Sequence, residues 1–204
     1  MRQQLVASRT PPAHLAVLIC LTLTGCFAKP SSVVTPLKYR PTSQLNMNTF
    51  AGDLPEATVH IAPVVDRRES PQQIGENLEN KKPIPVLVGP TQPADFVHDT
   101  MATLVGRTGL KVMPAPASAD RVLVTELLHF WTRETDTYDA EIRATVAVQD
   151  RGGHQLWKGT LNGTAKRFGR SLSQENYQEA FSDAMVELVQ GMLNNSGFRA
   201  ALKR

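Results

Sequence analysis

The sequence predicts an α+β domain: an antiparallel sheet, built from a C-terminal three-stranded meander plus N-terminal strands, with two helices packed on one face. Three observations carry that prediction. In "YDAEIRATVAVQD" (138–150), Ala140, Ile142, Ala144, Val146 and Val148 alternate with Glu141, Arg143, Thr145 and Gln149, the period-2 pattern of a strand with one buried face. "DRGG" (150–153) then supplies the turn residues of a hairpin, with apolar-patterned runs on both sides of it. Finally, "SLSQENYQEAFSDAMVELVQGML" (171–193) places Tyr177, Phe181, Ala184, Met185, Leu188 and Met192 on one helical stripe. That stripe needs an apolar partner, and the buried face of the meander is the natural one.

The remaining elements follow in chain order. "ATVHIAPVVD" (57–66) alternates as a strand. "RRESPQQIGENLENKK" (67–82) is polar and rich in turn residues. "PIPVLVG" (83–89) suits a second strand, placed at a sheet edge because Pro85 has no N–H to donate. Thr91-Gln92-Pro93-Ala94-Asp95 reads as a helix start, with proline near the first position and an acid in the first turn. Val97, Met101, Leu104 and Val105 form its apolar stripe, and Gly109 stops it. "GLKVMP" (109–114) is a short strand, "DRVLVTELLHFWTRE" (120–134) a long one, and "HQLWKGTLNGTAKRFG" (154–169) the strand returning from the hairpin. Ser171 with Gln174, or Ser173 with Asn176, is placed to cap the last helix. No internal repeat is present. Residues 58–204 are numerous enough to bury a core of their own.

Ahead of this domain, residues 26–57 hold prolines at 30, 36, 41 and 55 and no sustained apolar period, which reads as a partly extended tether. Residues 1–25 differ again. Arg2 and Arg9 precede an apolar run, Leu15 to Leu23, that is too short to span a bilayer, and no acid occurs before Cys26. These are the parts of a cleaved secretory signal. It ends in Leu23-Thr24-Gly25-Cys26, which resembles the lipobox of bacterial lipoproteins. The chemistry accounts for the spacing: the Cys26 thiol is the nucleophilic atom that takes diacylglycerol, and small residues at 24 and 25 let a peptidase reach the preceding bond. Two or three acyl chains on Cys26 hold a protein on a membrane where one holds it marginally. Position 27 is Phe rather than Asp, so by analogy with the enteric sorting rule the expected destination is the outer membrane, facing the periplasm.

Charge and cysteine usage narrow the classes further. The whole chain carries a formal charge of +3. Loss of residues 1–25 removes Arg2 and Arg9 and no acid, leaving 20 basic residues against 19 acidic ones. The near-neutral remainder offers no electrostatic case for nucleic acid. Of the 2 cysteines, Cys20 leaves with the signal and Cys26 carries lipid, so the mature domain is held by its core and not by disulfides.

The order of parts resembles the YajG family of bacterial lipoproteins. The residues that carry the likeness are the lipobox with Ala28-Lys29-Pro30, the proline-rich tether, the strand followed by Asp66-Arg67 in "APVVDRR", and the final hairpin and helix "ENYQEAFSDAMVELVQGML". It runs through most of residues 26–195, in pattern more than in identity. It implies an envelope lipoprotein with an α+β body and no defined activity. It leaves "KRFGRS" (166–171) without a role.

Catalytic constellations are not evident. His60, His98, His129 and His154 show no His-x-x-x-His pair, so a zinc helix is not expected, and no cofactor is expected. No Gly-x-Ser-x-Gly elbow occurs. Gly152-Gly153 precedes a strand and is a turn, not a phosphate cradle. Glu126, Glu134, Asp136, Asp139 and Glu141 gather near one hairpin, where paired carboxylates could hydrolyse a glycosidic bond. Solvated hairpin charges are the plainer reading. Phe130, Trp131, Trp157, Phe168 and Tyr177 read as core or sheet-face aromatics, and Arg67, Arg68, Arg143, Arg167 and Arg170 as surface cations able to hold anionic groups. The expectation is a membrane-anchored, non-enzymatic binding or assembly module for another envelope protein, with Asp66, Arg67 and Arg68 as its partner surface. The alternatives are a periplasmic hydrolase near the membrane, and a lipid or peptide carrier with a groove between sheet and C-terminal helix.

Overall fold

The computed structural model describes residues 31–49 and 54–203. Its spine is one long strand, β7 (Arg121–Glu134). On one side β7 pairs antiparallel with β8 (Thr137–Gln149), which pairs antiparallel with β9 (Gln155–Phe168), the expected meander. On its other side three short strands lie end to end, all parallel to it. β2 (Thr58–Ile61) meets residues 121–123, β3 (Val65–Asp66) meets 126–127, and β4 (Gln73–Asn77) meets 132–134. β6 (Lys111–Val112) flanks β2, β5 (Ile84–Val88) flanks β4, and β1 (Val33–Thr35) flanks β5.

The sheet is therefore mixed, a correction to the all-antiparallel expectation. Long crossovers carry the chain from β2, β3 and β4 around to β7, and a crossover of a dozen or more residues returns a strand in parallel. Pro85 also sits differently than expected. β5 is flanked on both sides, and the proline is accommodated because β1 begins pairing only at Val86.

The alternation in β8 holds: Ala140, Ile142, Ala144, Val146 and Val148 are all buried. Helix α1 (Pro93–Arg107) begins at Pro93, and Gly109 follows its end with φ of 92°, a left-handed conformation that glycine adopts without strain. Helix α2 (Gln174–Asn194) buries its whole predicted stripe against the inner face of the meander. Phe181 stacks on Phe130 at 4.1 Å and Phe96 of α1 meets Phe130 edge-on at 5.9 Å, joining both helices to one core. A third helix, α3 (Ser196–Lys203), was not foreseen, because two turns are too few to display a period. It buries Phe198 edge-on to Trp157 at 5.5 Å.

The start of α2 is fixed differently from the expected caps. Ser173 is the N-cap residue but makes no side-chain cap bond. Instead the Ser173 N–H donates to the Tyr138 hydroxyl (3.0 Å) and the Leu172 N–H donates to Glu134 Oε1 (2.7 Å). The Tyr177 hydroxyl donates to the other oxygen of Glu134. Glu134 is fully buried, and these donors satisfy it where the β7–β8 hairpin meets the helix. Burial pushes the Tyr138 phenol up to about 12, so it remains a neutral hydroxyl within this cluster.

Residues 33–46, expected as part of a tether, are laid along the outer side of α2. Gln174 Nε2 donates to the Val34 carbonyl (2.8 Å) and Gln178 Nε2 to the Pro36 carbonyl (2.7 Å). The Arg40 N–H donates to Ser182 Oγ (2.8 Å) and the Asn46 N–H to Gln190 Oε1 (2.6 Å). Asp183 accepts from both N–H and both hydroxyl groups of Thr42 and Ser43, at 2.5–2.9 Å. Leu37 is buried beneath this strap. Proline does exclude helix here, but an extended backbone leaves its N–H and C=O groups free to bond to the polar side of a neighbouring helix. Helix α2 thus lies in a channel, with sheet on one side and strap on the other.

Candidate functional site

The outer face of the meander is open to solvent. Register sets its pattern: His129 lies opposite Arg143, Trp131 opposite Glu141 and Arg133 opposite Asp139, while Glu141 lies opposite Thr164 and Asp139 opposite Lys166. A β-bulge at Leu127–His129 inserts Leu128 as an extra residue and leaves it exposed. Were Leu128 instead to continue the regular alternation, the parity that buries Leu123, Thr125 and Leu127 would turn Phe130 outward and Trp131 inward. The bulge therefore chooses which of two adjacent aromatics faces solvent.

Charges on this face are paired across and along strands. Arg143 meets Glu141 at 2.6 Å, Lys166 meets Asp139 at 3.5 Å, and His129 Nε2 lies 3.9 Å from Glu141. Partial burial holds the His129 imidazole below its ordinary value, against the pull of Glu141, so it is neutral at pH 7. A shallow depression of about 830 Å³ spans His129, Trp131, Arg133, Asp139, Glu141 and Lys166. A second, of about 360 Å³, lies between β7 and the loop after β3, and shares His129 and Trp131 with the first. Trp131 is the common wall of both, half-buried among arginines and carboxylates.

The three residues expected as the partner surface separate here. Asp66 ends β3 opposite Leu127. Arg67 is exposed, with its guanidinium on Glu126 Oε1 at 3.1 Å, at the rim of the outer face. Arg68 turns inward. Its side chain is only 6% exposed, meets Asp66 at 2.7 Å and donates to the Pro71 and Gln73 carbonyls. It also stands over the Phe130 ring at 5.8 Å. Arg68 therefore staples its own loop, and of the two arginines only Arg67 presents its guanidinium to solvent.

The other candidates disperse. Of the hairpin carboxylates, Glu134 is interior while Glu126, Asp139 and Glu141 each face a cation on the surface. Phe130 and Tyr177 are core, and Trp157 lies against α3. Arg167 pairs with Glu179 of α2 at 2.9 Å. Phe168 is 76% exposed. The space between the sheet and α2 is filled by fully buried side chains, including Tyr177, Phe181, Met185 and Leu188, so the groove a carrier would need there is occupied. Among the described residues, no three His, Cys, Asp or Glu side chains gather as metal ligands. Cys26 lies outside the described residues.

The sequence reading places Phe130, Trp131, Trp157, Phe168 and Tyr177 together as core or sheet-face aromatics and does not single out Trp131 as the one on the outer face of β7. Adjacent Phe130 and Trp131 in one strand must face opposite sides, which was the available signal.

No protein-family model matches the chain, and no curated protein matches it in sequence. Among solved structures it is similar to protein XCC0632 from Xanthomonas campestris, of DUF330. The TM-score is 0.55 at 12% identity, covering 82% of this chain and 96% of that one. Weaker partial likenesses include a PelC dodecamer from Paraburkholderia phytofirmans (TM-score 0.44, 13% identity, 69% and 89% coverage) and lipoprotein GNA1162 from Neisseria meningitidis (0.35, 15%, 56% and 88%). At such identities the likeness to the Xanthomonas protein speaks to the fold alone: the chain has an α+β body on the same plan.

Proposed function

We propose that this chain is a YajG-like bacterial envelope lipoprotein, acylated at Cys26 and held at the periplasmic face of the outer membrane, that works without catalysis by docking its outer meander face onto another envelope protein. The observation that carries the docking role is Trp131, half-buried at the centre of a broad, mixed-charge sheet face. Tryptophan and arginine supply much of the energy of protein interfaces, and paired surface charges set orientation more than affinity. The anchoring role rests on Leu23-Thr24-Gly25-Cys26.

Cross-linking in intact envelopes tests the docking face. Trp131→Ala and Arg67→Glu are expected to abolish a specific cross-linked product while the purified variants melt as wild type does. Retention of that product in both variants refutes this face as the interface. Anchoring has its own test: wild type incorporates labelled palmitate, and Cys26→Ala loses it. An unmodified Cys26 in the mature protein, seen by mass spectrometry, removes the lipoprotein reading.

A further inference from the structure

We infer that one end of the sheet is a membrane-contact surface for anionic lipid headgroups, with Phe168 as an interfacial anchor and Lys81, Lys82 and Arg170 as its cations. The inference rests on the lipid-anchored reading above and adds an orientation to it.

The register shows which residues share this end. A single row of pairings crosses the sheet, from Ile84 to Asn77, Glu134, Tyr138 and Arg167. Beyond that row lie Lys81 and Lys82, in the connection between β4 and β5, and Phe168, which closes β9. Asn77 also donates to Ser171 Oγ at 3.4 Å, bringing the Gly169–Ser171 segment to the same end. Four strand spacings of about 4.8 Å make the row roughly 19 Å wide.

The chain enters the fold at this end as well. β1 runs parallel to β5, so Ser31 precedes the sheet where Ile84 begins it, and Ser31 lines one concavity with Lys81, Lys82 and Ile84. Only five residue steps separate Ser31 from Cys26, at most about 18 Å of extended chain. The strap along α2 removes the rest of the apparent tether, so acyl chains on Cys26 hold this end, and no other, against the bilayer.

The chemistry of this end suits that position. Phe168 is the most exposed of the large hydrophobic residues described, at 76%, and no core position claims it. Aromatic side chains favour the boundary between headgroups and acyl chains. Lys81, Lys82 and Arg170 are exposed at this end, and Lys29 lies in the connecting segment; against them stand Glu79 beside the lysines and Asp136 at the tip of the β7–β8 hairpin. "KRFGRS", with basic residues on both sides of an exposed phenylalanine, acquires a role in this arrangement.

The test uses the mature chain, residues 26–204, with Cys26→Ser so that no acyl chain contributes. It is floated with vesicles of phosphatidylglycerol and phosphatidylethanolamine, or of phosphatidylcholine alone. Binding is expected on the anionic vesicles and is expected to weaken with salt. Lys81→Gln and Lys82→Gln should each lower it roughly fivefold, and about 25-fold together. Phe168→Ser should remove the salt-resistant part of binding, and Gln155→Ser, at the opposite end of β9, should leave it unchanged. All variants should keep the wild-type melt. Equal binding to both vesicle types, no binding to either, or wild-type binding by the lysine and phenylalanine variants overturns the inference. None of these outcomes depends on lipidation, which palmitate labelling of wild-type protein decides separately.

Discussion

Asp183→Ala should release the strap without unfolding the domain. The Asp183 carboxylate accepts four hydrogen bonds from Thr42 and Ser43, and it is the densest attachment of residues 33–46 to α2. Bonds to a charged acceptor contribute about 1.5–3 kcal/mol each when shielded, but these are largely solvent-exposed and act as one unit. A loss of about 2 kcal/mol for the group is the reasonable magnitude, which is about a 30-fold rise in local opening. The neighbouring attachments at Pro36, Arg40 and Asn46 remain, and the core beneath α2 is untouched. Amide hydrogen exchange is the assay. Protection at Thr42 and Ser43 should fall by about 30-fold while that of β8 and the α2 stripe is unchanged. Burial pushes the Asp183 carboxyl up, but the hydrogen bonds from Thr42 and Ser43 outweigh it and hold the group below its ordinary value. A depressed carboxyl contributes stability above its unfolded value of about 3.9, and that contribution is lost as pH falls through the folded value. Strap protection in wild type should therefore be level from neutral pH to about 5 and decline below about 4. Unchanged protection in Asp183→Ala, or an equal loss across the whole domain, refutes the strap as a separately held segment.

Three further outcomes are expected. Gly163→Ala should destabilise the fold by several kcal/mol, because its methyl would meet the Ala184 carbonyl oxygen and the Leu188 backbone nitrogen of α2; a melt within 2 °C of wild type would show that helix and strand can separate there. Met185→Asp and Leu188→Asp each bury an unpaired carboxylate at a fully buried position, at a cost comparable to a small domain's whole stability; wild-type circular dichroism melts for both would contradict the packing. Arg68→Ala should lower the melting temperature through loss of its buried bonds to Asp66, Pro71 and Gln73, whereas Arg67→Ala should not; equal effects would mean that Arg68 holds nothing in its loop.

Much of the architecture was legible because it repeats a short period many times. The β8 alternation extends over five inward residues and the α2 stripe over six, and every one of them is buried. Periods this long identify both the element and its buried face, and two such faces in one chain of this size must cover each other. The proline and glycine that bound α1 were equally readable, since each acts through its own backbone.

What the sequence by itself determined is therefore local: the meander, the two long helices and their apolar faces. Tertiary structure decided everything that depends on partners distant in sequence. Whether β2, β3 and β4 run parallel to β7 depends on how the crossovers route, and no residue in those strands records it. The strap is invisible locally because its bonds join residues more than 130 positions apart, extended backbone on one side and the polar side chains of Gln, Ser and Asp on the other. Arg67 and Arg68 are chemically alike and adjacent, yet one reaches solvent and the other closes its loop, because successive side chains of an extended segment face opposite ways. Trp131 and Phe130 part for the same reason, with the bulge at Leu128 setting which one turns outward.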